Sequence, residues 1–69
     1  MIRVTNKEIG IIEEYSIDNL NFIRRSYDEY ADKEMTNDDY KALALHLTKA
    51  KYGGSRYENL EWEINVIDE

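Results

Sequence analysis

No cysteine stands anywhere in the 69 residues. A chain this short buries only about 60% of the surface that its unfolded form exposes, and small domains often make up the shortfall with disulfides or a thiolate-bound zinc. Neither device is open to this sequence. The fold has to be held by side-chain packing and hydrogen bonds around one small core, so a single domain over residues 1–69 is the expectation. Proline is also absent and only Gly10, Gly53 and Gly54 break the pattern, so nothing in the chain reads as a linker or low-complexity tract.

Periodicity supplies the elements. Ser16 precedes Ile17, Leu20, Ile23, Tyr27, Tyr30 and Ala31, an apolar stripe at three-and-four spacing with Asp18 in the first turn, which predicts a helix over residues 17–32. Thr36 is a favourable N-cap with Asp39 three residues on. Tyr40, Leu43, Ala44, Leu47 and Ala50 then recur on one face until Gly53-Gly54, which predicts a second helix over 37–52 with the glycines as C-cap and turn. Leu60, Trp62, Ile64 and Val66 alternate with Glu61, Glu63, Asn65 and Ile67, the period of a half-buried strand that turns Trp62 inward.

The first fifteen residues support two readings. Thr5 and Glu8 have the spacing of a capping box, whereas Ile2 and Val4 could face Ile9 and Ile11 across a hairpin turning at Asn6-Lys7. A short strand followed by a short helix is the preferred reading, with Gly10 as its weak point. In both, the first and last segments are the strand candidates and pair with each other. The expected class is α+β: two helices and a short N-terminal one covering one face of a two- or three-stranded sheet.

Composition then limits function. The net charge is −6, and nucleic acid held through its phosphates needs a basic surface. The charge also falls in blocks. Asp28, Glu29, Asp32, Glu34, Asp38 and Asp39 are opposed only by Lys33, whereas Lys41, Lys49, Lys51 and Arg56 follow with no acid between them. No apolar run approaches the ~20 residues of a membrane span, and the opening residues lack the apolar stretch of a secretory signal. A cytoplasmic address is expected.

Catalysis finds little support. His46 is the only histidine, and its neighbours one turn away on the helix are Ala42 and Ala50, so no metal pair forms there. Carboxylate pairs such as Asp28 with Asp32 are what any chain with fifteen acids presents, and Gly53-Gly54 follows a helix where a phosphate loop precedes one. No enzyme, no metal and no cofactor are expected.

The residues that break the amphipathic pattern point to binding. On the helix over 17–32 Phe22 falls on the polar face with Asp18, Arg25 and Glu29, and on the next helix Leu45 falls between Lys41 and Lys49. Both are expected to point outward, where two large apolar groups can seed an interface, and Tyr52 joins Tyr15 and Tyr57 as surface aromatics. Candidate partner-binding residues are therefore Phe22, Leu45, Asp28, Glu29, Asp32, Asp38, Asp39 and Tyr52. The expected function is that of a small acidic inhibitor or regulator, of the kind carried by phages and mobile elements, that covers a basic, nucleic-acid-handling surface of a protein target. An immunity protein or antitoxin against a toxic enzyme, and a small DNA-binding regulator using Lys41, Lys49, Lys51 and Arg56, are the alternatives. A homodimer through the same surface is a further outcome that the sequence permits.

Overall fold

The structure is a computed structural model and describes residues 1–52 and 60–67. Gly53-Gly54, Arg56 and Tyr57, singled out above, lie outside the described residues.

Strand β1 (Ile2–Asn6) alternates buried Ile2, Val4 and Asn6 with Arg3 and Thr5. It is the central strand of a three-stranded antiparallel sheet of order β2-β1-β3. On one side it pairs with β2 (Ile11–Tyr15), in a register that sets Ile2 opposite Tyr15 and Asn6 opposite Ile11; on the other it pairs with β3 (Glu63–Val66), setting Val4 opposite Ile64. The ends of the chain extend this ladder, since the Ile67 amide donates to the Met1 carbonyl at 2.8 Å. Pairing of the first and last segments is borne out. The strand expected from Leu60 onward is shorter, beginning at Glu63, and Trp62 stands just ahead of it, half-buried against the core.

The short N-terminal helix does not form. Residues 2–15 make a hairpin, and its turn is not at Asn6-Lys7 but over residues 7–10. Two residues decide this. Gly10 adopts φ +69, a left-handed conformation that is nearly free for glycine and costs a residue with a Cβ about 1–2 kcal/mol. Asn6, 1% exposed, turns its Oδ1 back to accept the amides of Glu8 at 3.0 Å and Ile9 at 3.4 Å, satisfying the turn from inside.

The first helix is also shorter than its stripe. Helix α1 (Ile17–Ile23) starts at Ser16, whose Oγ accepts the Asn19 amide at 3.1 Å, and passes into a single 3-10 turn, Arg24–Ser26. Tyr27 is extended and ends it. Continuing to residue 32 would have placed Asp28, Glu29 and Asp32 at the negative end of the helix dipole, where carboxylates are unfavourable. Helix α2 (Asn37–Lys51) forms as expected. Thr36 and Asp39 close a full capping box, with Asp38 and Asp39 at the N-terminal end and Lys49 and Lys51 at the C-terminal end.

Both helices pack on the face of the sheet that carries Ile2 and Val4. With Leu20, Leu43 and Ala44, these two are fully buried and form the core, and Tyr15, Ile17, Tyr27, Tyr30, Met35, Tyr40, Leu47 and Ile64 pack around them. The other face of the sheet is left to solvent, with Arg3, Ile12, Glu14, Glu63 and Asn65 all exposed. The architecture is α+β, a single helical layer on one face of a small sheet.

Candidate functional site

Over residues 27–32, where the first helix was expected to continue, the chain forms an acidic loop that is tied by one side chain. Arg24 ends α1 with its guanidinium turned back over the following loop. Its Nε donates to Asn21 Oδ1 at 2.6 Å. Its Nη1 reaches the carbonyls of Tyr30 at 2.6 Å, Lys33 at 3.0 Å and Ala31 at 3.2 Å. Two turns tie the same stretch, with the Tyr30 and Ala31 amides both donating to the Tyr27 carbonyl at 2.9 Å. Three carbonyls of an irregular loop, which would otherwise be left to water, are collected by a permanent cation.

This loop holds the acids outward. Asp28, Glu29, Asp32 and Asp38 are exposed, and among the described residues none of them stands in an ion pair. Asp39 differs. It accepts from Lys33 Nζ at 2.8 Å and from the Thr36 amide and hydroxyl at 3.0 Å each, and the Lys33 ammonium, followed by the Thr36 amide, lowers its pKa from 3.8 to about 2. Its carboxylate is part of the frame of α2. The first turn of the loop also borders a cleft of about 370 Å³, lined by Ser26, Tyr27, Asp28, Glu29 and Tyr30 and, from α2, by His46. The Tyr27 and His46 rings meet edge to face, with centroids 5.5 Å apart and planes at 89°.

The two apolar candidates separate. Phe22 is 71% exposed on the same side of α1 as the exposed Asp18, as its helical position requires. Leu45 does not point outward: it is half-buried and packs against the core cluster. The reason is that the buried stripe of α2 is rotated from the one read along the sequence. Leu43, Ala44 and Thr48 are its buried residues, while Ala50 is exposed. This turns Leu45 toward the flank of the helix.

Thr48 also explains why the helix rotates. Its Oγ1 donates to the Ala44 carbonyl at 2.8 Å and shares a 2.9 Å hydrogen bond with Tyr15 Oη, so a polar residue can be fully buried without an orphaned group. One turn further on, Glu13 reaches across from β2. Its Oε1 accepts from Lys51 Nζ at 2.7 Å and from the Tyr52 hydroxyl. The Lys51 ammonium and then the Tyr52 hydroxyl hold the Glu13 carboxyl below its ordinary value, and the same carboxylate raises both Lys51 and Tyr52. Tyr52 is accordingly half-buried, and its hydroxyl serves the contact between α2 and β2.

The sequence reading missed Arg24, Glu13 and Thr48. Arg24 carries a recognisable signal, a basic residue ahead of an acid-rich stretch where a helix would end. Glu13 and Thr48 carry none, since their partners lie 38 and 33 residues away.

Among the described residues no three His, Asp or Glu side chains come together as a metal site, and no helix is long and apolar enough to cross a membrane. Lysine use on α2 also bears on DNA, because Lys51 is engaged by Glu13 and Lys41 and Lys49 are half-buried. No protein-family model, curated protein or solved structure matches the chain.

Proposed function

We propose that this chain is a small protein-binding inhibitor or regulator that docks on a basic, nucleic-acid-handling surface of a protein target. The exposure of Phe22 carries the reading. An aromatic side chain left 71% open is the kind of anchor from which interfaces draw most of their affinity. The acids that follow it in the chain supply the rim. Asp28, Glu29 and Asp32, on the loop that Arg24 ties, and Asp38, in the first turn of α2, stand in no ion pair among the described residues, so they speed encounter with a positive surface and disfavour acidic ones.

The test is capture of a partner by the immobilised protein at low and at physiological salt. A basic partner should be retained by the native chain, lost with Phe22→Ser, and captured more slowly when Asp28, Asp32 and Asp38 are reversed to lysine. It should also be released from nucleic acid as the acidic protein is added. Retention unaffected by Phe22→Ser would refute the docking surface. A saturable submicromolar complex of the protein itself with DNA at ~0.15 M salt would replace the reading with that of a DNA-binding regulator. Self-association through Phe22, visible in sedimentation, would replace it with a homodimer.

A further inference from the structure

We propose that the cleft between the 26–30 turn and α2 receives the guanidinium of an arginine side chain from the protein partner, which rests on the docking function above and names the group that is recognised. The cleft has the three properties such a ligand needs. It is concave, at about 370 Å³. Its charge is of one sign, since Asp28 and Glu29 line it and no lysine or arginine does. Of the two arginines just ahead of the turn, Arg24 has its guanidinium committed to Asn21 and to the carbonyls of Tyr30, Ala31 and Lys33, and Arg25 is exposed and does not line the cleft.

The third property is its aromatic wall. Tyr27 and Tyr30 both line the cleft while packing against the core on their other side, and the edge-to-face contact with His46 fixes the Tyr27 ring. A planar, weakly hydrated guanidinium stacks on such rings and presents a fork of N–H donors to carboxylates, whereas a compact ammonium is more costly to strip of water. A hard metal ion is a poorer fit, because it takes six or more oxygen ligands and three of the six lining residues, Tyr27, Tyr30 and His46, are aromatic. Asp28 and Glu29 are adjacent in sequence and tied into a turn by the amides of Tyr30 and Ala31, so the carboxylates are presented from a frame that does not have to be ordered on binding.

The experiment needs no partner. The full chain is titrated with N-acetyl-arginine amide, N-acetyl-lysine amide and the uncharged N-acetyl-citrulline amide at constant ionic strength, and the ring resonances of Tyr27, Tyr30 and His46 are followed by NMR. Saturable shifts confined to these residues are expected with the arginine probe, weaker by about tenfold or absent with citrulline. The double variant Asp28→Asn, Glu29→Gln should weaken the arginine response by a similar factor, while Glu8→Gln, which removes an exposed charge on the hairpin turn, should leave it unchanged. Non-saturating shifts spread over the surface, an equal response to citrulline, or full binding by the double variant would overturn the assignment. A lysine probe that binds as tightly would overturn the preference for guanidinium. If the arginine response is missing while partner capture still depends on Phe22, the cleft fails and the docking function stands; if Phe22→Ser leaves capture intact while arginine binds, the docking surface fails and the cleft stands.

Discussion

Phe22 and Leu45 look alike in the sequence, each a large apolar residue on a polar face, and the structure gives them different energetics. Phe22 is 71% exposed, so Phe22→Ser should change thermal stability by no more than about 0.5 kcal/mol. Leu45 is half-buried against the core, and Leu45→Ser should cost about 1–2 kcal/mol, below the 2–5 kcal/mol of a fully buried leucine cut to alanine. Melting curves of the two variants measured side by side check this, and an equal loss in both would contradict the rotation of α2. A second residue-scale expectation concerns acid. The carboxyls of Glu13 and Asp39 sit below their ordinary values of 4.5 and 3.8, Asp39 at about 2. A lowered folded-state pKa stabilises the fold fully above the ordinary value, and the contribution disappears as pH falls toward the folded one. The urea midpoint should therefore hold steady above about pH 5 and decline toward pH 2, with a shallower decline in Glu13→Gln and Asp39→Asn. Lys51 and Tyr52 are shifted the other way, so their share is present at neutral pH and fades only as the solution passes about pH 10.

At the level of elements, the acidic loop is a piece of irregular structure organised by one cation. Three carbonyls that water would otherwise solvate converge on Arg24 Nη1, and the amides of Tyr30, Ala31 and Lys33 are held in turns beneath them. Arg24→Gln keeps a side chain of moderate length but loses the fork of donors and the charge. Hydrogen bonds to charged groups contribute about 1.5–3 kcal/mol each when well buried, and Arg24 is only half-buried, so a total loss of about 1–2 kcal/mol is expected. The local effect is the sharper measurement. Amide exchange at Tyr30, Ala31 and Lys33 should accelerate well beyond the change at Leu43 and Ala44, where exchange reports on global unfolding. Uniform acceleration across all five amides would mean that Arg24 stabilises the domain as a whole and not the loop.

The whole molecule has little stability in reserve. At about 0.05–0.15 kcal/mol per residue, a chain of 69 residues has about 3–10 kcal/mol of net stability. Leu43 is fully buried at the centre of the core, and Leu43→Ala should lose about 2–5 kcal/mol, lowering the melting temperature by more than about 10 °C or unfolding the protein outright. A native-like melt would show that the helical layer can close over the cavity. The same economy explains the polar ties between α2 and β2. With no disulfide available, Tyr15 with Thr48, and Glu13 with Lys51 and Tyr52, fix how the long helix crosses the sheet.

What the sequence determined by itself is local or periodic. The capped start of each helix, the full length of α2, the alternation that buries Ile2 and Val4 and turns Ile64 to the same face, and the outward position of Phe22 all follow from spacing along the chain, because helix and strand periods map directly onto faces. Pairing of the two ends followed from having no other strand candidates. The tertiary structure decided the rest, wherever the deciding contact joins residues far apart or an irregular turn outcompetes a regular element. Residues 7–10 became a hairpin turn because Asn6 could be buried beneath them, α1 stopped at Ile23 because Arg24 ties the carbonyls of Tyr30, Ala31 and Lys33 into a loop in place of a helix crowded with acids, and α2 rotated because Tyr15 gave Thr48 a partner in the core. In each case a polar side chain found its partner in an irregular turn or in another element, and no pattern of apolar spacing records where that partner will come from.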